Sequence, residues 1–333
     1  MKRVKKDKRD LGSPKIFVIK LRIAIYGLTI MISLHSLIKY VGIFLIPFCV
    51  YSCQSGDLSP ARIEPDFNQI RAYQDIKSQL SFGSRAVESS GHEQEVRWII
   101  TNLKESGWEV ELQVGKMMGH PVQNVIAYRQ QDGDHILLGA HYDTRLYADQ
   151  DPDPELRKEP VPGANDGASG VAVLLELARV LPKEMDIPVR LVFFDAEDNG
   201  DIPGWDWILG SRMYVEKMDT YPQLVLILDM IGDADLNLYY EKTSKREIQE
   251  EIWTMGRELG YEEAFIPSPK YAVIDDHTPF LNLGIPAVNI IDFDYPYWHT
   301  TSDTLDKVSP ESLEVVGETV LQWLMGQTEA VEE

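Results

Sequence analysis

The 333-residue chain is predicted to be an α/β protein, three-layer α/β/α, with a mixed, largely parallel central sheet. Three observations support this. Short runs rich in Val, Leu and Phe alternate with amphipathic helical stretches, the pattern of a sheet wrapped on both faces. Val189-Arg190-Leu191-Val192-Phe193-Phe194 is nearly continuous in apolar residues, as a strand buried on both sides must be. Acidic and imidazole side chains crowd the carboxyl ends of these runs, where open α/β sheets build ligand sites.

The first 53 residues stand apart from the rest. They hold ten Lys/Arg against two acidic residues, a net of +8, whereas residues 54–333 hold 22 basic and 51 acidic residues, a net of −29. The basic stretch Lys2 to Arg22 precedes an apolar one, Ile23 to Ser52, broken only by His35 and Lys39. One reading is a signal anchor with its positive flank cytoplasmic. The other starts translation at Met31, makes the segment from Lys39 a signal peptide, and takes Val50-Tyr51-Ser52-Cys53 as a lipoprotein cleavage site with Cys53 lipidated. Both export the remainder and tether it to a membrane, on the periplasmic or extracellular face. Residues 54–66 read as a polar tether and 67–328 as one catalytic domain. Cys49 and Cys53 are the only cysteines, so the body has neither a disulfide nor a thiolate metal site. Its acidity repels nucleic acid, which is not expected as a partner.

Along the body, helices are predicted over 67–80 and 93–105, with the turn Phe82-Gly83-Ser84-Arg85 between them. Strands follow at 109–114, 122–129 and 135–140, and Asp132-Gly133 between the last two signals a hairpin. A helix runs from near Gly167 through Ala178, then come strand 189–194, a helix near 210–217 and strand 224–228. Helices around 246–259 and 278–283 precede strand 287–291. Ser309 as cap and Pro310 in the first turn open the final helix.

Strand 189–194 ends in Asp195-Ala196-Glu197-Asp198. Adjacent carboxylates repel unless a cation or a shared proton holds them, although a lone acidic pair is commonly just a solvated turn. Others follow similar runs. In His141-Tyr142-Asp143, residues two apart on extended chain point the same way, so Asp143 can reach the region of the imidazole, either orienting it or standing behind the groups that touch the metal. Asp166 precedes a helix, where its plain role is an N-cap. Asp229 ends another apolar strand, Asp275-Asp276-His277 precedes a helix, and Trp298-His299-Thr300 follows the last strand. Each has an ordinary explanation alone. Together they put His, Asp, Glu/Asp, Asp and His on one sheet edge. Imidazole and carboxylate without Cys are the ligands of a catalytic zinc that keeps an open position, beside which Glu197 would carry a proton. The loop Asp149-Gln150-Asp151-Pro152-Asp153-Pro154-Glu155 reads as solvated, with selection of cationic substrates as the alternative.

At Gly139-Ala140-His141-Tyr142-Asp143, Gly163-Ala164-Asn165-Asp166-Gly167-Ala168-Ser169-Gly170, Phe193-Phe194-Asp195-Ala196-Glu197-Asp198, Asp275-Asp276-His277 and Tyr297-Trp298-His299-Thr300, the chain resembles peptidase family 28, the zinc aminopeptidases, and the related glutaminyl-peptide cyclotransferases. The resemblance spans roughly residues 67–328. It implies Asp166, Asp198 and His299 as ligands of the principal zinc and Glu197 as general acid/base. In the aminopeptidase branch it implies His141 and Asp229 on a second zinc, bridged by Asp166; the cyclase branch keeps these groups but uses one zinc. Trp298 before the His ligand, Asp275 in the acidic network and Asp198 followed by Trp207 tilt the reading to the bacterial cyclases. Asn289 departs from it, since animal cyclases carry His there.

The expected activity is therefore zinc-dependent conversion of N-terminal Gln of peptides or proteins to pyroglutamate with release of ammonia. One zinc is expected and two are allowed. Glu197, Asp275 and Asp229 would handle protons, and Trp207 and Trp298 would wall the pocket. The alternative is a zinc aminopeptidase that hydrolyses N-terminal residues. A catalytically inactive, membrane-tethered binding module is disfavoured because every mapped ligand position is retained.

Overall fold

The computed structural model describes residues 65–131 and 133–329. The expected anchor or lipoprotein signal over 1–53, with Cys53, and residues 54–64 of the expected tether lie outside the described residues. Element order is α1 (Gln69–Ser81), α2 (Ser90–Glu105), β1 (Glu109–Met117), β2 (His120–Tyr128), β3 (Ile136–His141), α3 (Ala168–Val180), β4 (Val189–Phe194), α4 (Leu209–Lys217), β5 (Leu224–Asp229), β6 (Leu238–Tyr240), α5 (Arg246–Glu258), β7 (Phe265–Pro269), α6 (Thr278–Asn282), β8 (Ala287–Ile291) and α7 (Pro310–Glu329).

Six strands form the main sheet in the order β1-β2-β4-β3-β5-β8. The pairs β4/β3, β3/β5 and β5/β8 are parallel, while β1/β2 and β2/β4 are antiparallel. Sheet class and helical wrapping agree with the sequence reading. The hairpin expected at Asp132-Gly133 does not form, because β4 lies between β2 and β3. The hairpin is instead β1–β2, with Met117 opposite His120. Its two turn residues, Met118 (φ 51°) and Gly119 (φ 93°), both sit at positive φ, the twist that a two-residue hairpin needs. Met118 disguised that turn in the sequence. The short parallel pair β6/β7 was also not foreseen; three and five residues carry too little periodicity to register.

Alternation along the strands divides the apolar core between two faces. Leu138, Leu191, Leu226 and Val288 meet Ile99, Leu174, Val320 and other residues of the large helical layer built from α1, α2, α3, α5 and α7. Their neighbours Leu137, Val192, Val225 and Ala287 meet Tyr214 of α4 and Phe280 of α6. Because both faces are dry, strands β3 and β5 are buried along their whole length, and functional side chains are left to the strand ends. Ser309 caps α7 through its hydroxyl, which accepts from the Ser312 N–H at 3.0 Å.

Candidate metal centre and active site

Each parallel strand hands one functional segment to the same edge. His141 closes β3, Glu197 and Asp198 follow β4, Asp229 closes β5, and His299 lies beyond β8. Asp166 stands just before α3, but it is not the cap of that helix. Gly167 occupies the cap position, with no side-chain hydrogen bond, so the ordinary role for this carboxylate is excluded. Backbone strain gathers here as well. Ala196 (φ 53°), Ile208 (φ 58°), Met230 (φ 46°) and His299 (φ 57°) adopt left-handed conformations, which non-glycine residues hold only where surroundings compel them.

Two groups of side chains have the geometry to hold a metal ion: His141, Asp166 and Asp229, and Asp166, Asp198 and His299, each with donor atoms within 4.8 Å of one another. Asp166 belongs to both. His141 Nε2 lies 3.1 Å from Asp229 Oδ1 and 3.2 Å from Asp166 Oδ1. His299 Nε2 lies 2.8 Å from Asp198 Oδ1 and 3.8 Å from Asp166 Oδ2. Asp166 Oδ2 and Asp198 Oδ2 are buried without a hydrogen-bond partner. An ionised oxygen stripped of water and partners costs several kcal/mol, and a cation between these groups would remove that cost. The residues present therefore fit a metal, with imidazole and carboxylate as the donor set.

The electrostatics follow from this crowding. Burial opposes a charged His141, but Asp143, Asp166 and Asp229 outweigh it and hold the imidazole well above its usual pKa. Asp166 is held below the carboxylate range because His141 and His299 outweigh its burial. Burial, with Asp275 and Asp166 adding to it against His141, lifts Asp229 to about 7. Glu197 is raised well above the carboxylate range by burial, then by Asp275, Asp198 and Asp276, against the opposing His141. It lines a cavity of about 320 Å³ with Asp166, Asp198, Asp229 and Asp275, walled by Trp207, Met230, Ile291, Phe293 and Trp298.

Both tryptophans pack on the site. Trp298 stacks on the His299 ring at 3.6 Å between centroids, and Trp207 faces the same ring at 6.0 Å. The Trp207 indole lies so close to Gly200 that a Cβ there would fall 2.0 Å from it. Arg145 holds the other side of this wall. Its guanidinium sits 5.2 Å from the Trp207 ring and donates to the carbonyls of Asp198 at 2.7 Å and Gly200 at 3.0 Å.

Of the two roles the spacing allowed, Asp143 does not orient His141 through its carboxylate but stands behind the metal groups. Its backbone carbonyl accepts from Nδ1–H at 3.2 Å, leaving Nε2 for the carboxylates, and the side-chain oxygen stands 3.7 Å away. The carboxylate instead accepts from the N–H groups of Glu197 at 2.9 Å and Asp198 at 3.4 Å. Asp143 thus fixes the loop that follows β4. Asp275 accepts from Asn289 Nδ2 at 2.5 Å, so the amide supplies the donor at the position where the resemblance led to His. His277 faces away from the metal groups and bonds Thr243 Oγ1 at 2.9 Å. Glu241 supports the same loop through the Val273 N–H at 3.2 Å.

Sequence reasoning missed several supports. Asp303 accepts from the N–H of Asn165 at 2.9 Å, the N–H of Asp166 at 3.1 Å and the Tyr295 hydroxyl at 2.6 Å, tying the His299 segment to that of Asp166. Asp151, expected in a solvated loop, is buried and accepts from the Thr301 N–H and hydroxyl at 2.9 and 2.6 Å. Asp149 pairs with Arg145 at 2.7 Å. The loop is therefore structural on its inner side, while Asp153 and Glu155 remain exposed. The one available signal was the density of Asp, Thr and Ser after His299, residues that bond nearby backbone.

Fold and site together define an α/β protein with a candidate metal centre, its ligands contributed by the carboxyl edge of a mixed sheet. The profile of peptidase family M28 matches residues 124–324, and the chain belongs to that family. Among solved structures, the glutaminyl cyclase of Tannerella forsythia is 34% identical, with a TM-score of 0.74 over 78% of this chain and 99% of that one. A Zn-dependent exopeptidase from Parabacteroides distasonis is 31% identical, with a TM-score of 0.75 over 78% and 98%. The glutaminyl-peptide cyclotransferase of Gloydius blomhoffii is 28% identical over 223 residues, 54% of this chain; the alignment spans 59% of that relative's length.

Proposed function

We propose that this protein is a zinc-dependent glutaminyl-peptide cyclotransferase, converting the N-terminal Gln of peptides to pyroglutamate and ammonia. The observation that carries the reading is the position of Glu197: a buried carboxyl, raised well above its usual pKa, beside the Asp166/Asp198/His299 group and inside a cavity walled by Trp207 and Trp298. Similarity to the cyclases of Tannerella forsythia and Gloydius blomhoffii supports it. Zinc held by Asp166, Asp198 and His299 would supply Lewis-acid polarisation of the γ-carbonyl.

The protein's own groups then have separable tasks. Trp207 and Trp298 enclose the Gln side chain and exclude water. Glu197 takes a proton from the α-amine as its nitrogen bonds to the carbonyl carbon of the side-chain amide, and returns it to the amide nitrogen as the bond between that carbon and nitrogen breaks and ammonia leaves. Asp229 and Asp275 line the same cavity, and the charge of Asp275 favours the protonated Glu197.

Aminopeptidase activity is the second reading. It is favoured by the intact His141/Asp166/Asp229 group and by the exopeptidase name of one structural relative. Ammonia released from Gln-peptides without peptide cleavage supports cyclisation. Free amino acids released from Leu- or Ala-peptides would overturn it. Membrane tethering on the exported side rests on the basic and apolar character of residues 1–53 alone. Mass spectrometry of the mature N-terminus tests it: an acylated Cys53 or a retained apolar segment supports it, and an unmodified, cleaved chain overturns it.

A further inference from the structure

The loop after β3 grips the loop after β4 from both sides of its backbone. Asp143 receives the N–H groups of Glu197 and Asp198, while Arg145, only 1% exposed, donates to the carbonyls of Asp198 and Gly200. The Leu146 N–H adds a third tie, to Asn199 Oδ1 at 3.1 Å. This grip sets a buried guanidinium beside a carboxylate of the metal centre. Arg145 Nη1 stands 4.0 Å from Asp198 Oδ1, too far for a hydrogen bond, and Asp198 Oδ2 has no donor at all. A fixed guanidinium readily takes a carboxylate as its partner, and here that would withdraw Asp198 from a cation. Asp149 stands in its place. Its two oxygens accept from Arg145 Nε at 2.7 Å and Nη2 at 3.0 Å, so with the two carbonyls four of the five guanidinium N–H groups are spent. Burial opposes the Asp149 charge, but Arg145 and then His299 outweigh it and hold this acid below the carboxylate range. The two charges therefore offset each other beside Asp198.

We propose that Asp149 is a positioning residue of the metal centre: it occupies the Arg145 guanidinium so that the Asp198 carboxylate is left to the zinc. Without Asp149, the freed N–H groups turn to Asp198, and an uncompensated positive charge opposes the cation. The inference rests on the zinc site and holds for either enzymatic reading. Asp149 Oδ1 also lies 3.6 Å from His299 Nδ1, so the competing account is that Asp149 acts on that imidazole directly.

The test is the zinc Kd, measured by competition with a chelator, for the full chain and for Asp149→Asn, Arg145→Gln and the double variant. With Arg145 present, Asp149→Asn is expected to weaken zinc binding about tenfold or more. In the Arg145→Gln background the same substitution is expected to cost about threefold or less, because the competing guanidinium is gone. An equal cost in both backgrounds would overturn the proposal and place the action of Asp149 on His299. Unchanged affinity in Asp149→Asn would overturn it as well. A wild type that binds no zinc would instead remove the metal centre itself, and this proposal with it. Thermal unfolding verifies that each variant is folded. Should Arg145→Gln fail to fold, crystals of Asp149→Asn grown without added zinc decide: a guanidinium bonded to the Asp198 carboxylate supports the proposal, and one left in place overturns it.

Discussion

Two carboxylate clusters lie in this molecule and differ in one respect. Around Asp233, Asp292, Asp294 and Asp306, the acidic oxygens are supplied with donors. Asp292 accepts from the N–H groups of Asn237 at 2.7 Å and Asp294 at 3.0 Å, Asp294 pairs with Lys270 and Tyr271, and Asp306 pairs with Lys307 at 2.6 Å. Around Asp166, Glu197, Asp198 and Asp276, oxygens of Asp166, Asp198 and Asp276 are buried with no donor at all. The number of acids is therefore a poor guide to a metal centre. The better sign is an acid whose charge the polypeptide leaves unanswered, because such a site remains costly until a cation or a proton arrives.

The largest break in this contrast should come from Glu197→Gln. Loss of its proton transfer should lower kcat by about 10²–10⁴-fold, while metal analysis finds the zinc content of the wild type. Retained turnover would remove Glu197 from its role. Next, Asp198→Asn should lose metal, whereas Asp292→Asn in the other cluster should keep it. At metal concentrations a thousandfold above Kd, binding stabilises the native state by about 4 kcal/mol. A chelator should therefore lower the Tm of wild type and Asp292→Asn but leave Asp198→Asn unmoved; an equal response in all three would erase the distinction between the clusters.

A smaller, pH-dependent effect is expected at Glu241. Burial opposes its charge, but His277, Thr243 and Ser244 outweigh it and bring the pKa from 4.5 down to about 2. A depressed folded pKa gives stability that is present above the unfolded value and lost as pH falls through the folded one. The Tm deficit of Glu241→Gln should accordingly be full at neutral pH and shrink between about pH 4.5 and 2. A deficit independent of pH would assign it to packing. The smallest effect should come from Asp276→Asn. Burial, then Asp275, pushes this acid well above its usual range, so the neutral amide replaces a group whose charged form is disfavoured. A Tm drop comparable to that of Asp198→Asn would show that Asp276 is ionised.

Much of the sheet and its wrapping was legible because strands buried on both faces must be apolar throughout and cannot be disguised. The metal-site residues stood out because each follows such a strand. What misled was local. Asp132-Gly133 has turn chemistry, but strand pairing is decided by packing across the whole sheet, and β4 took the place beside β2. His141 and Asp143 are two apart as orientation requires, yet the chain turns so that the carbonyl faces the imidazole and the carboxylate faces the next loop.

By itself, then, the sequence determined the layer architecture, the edge that carries chemistry and the residue types available to a metal. These follow from periodicity and donor chemistry, which are properties of short segments. Tertiary structure alone decided that Asp303 ties together segments 137 residues apart, and that the Asp143 carboxylate holds the loop after β4. Each depends on distances between side chains remote in the chain, and no local pattern encodes those.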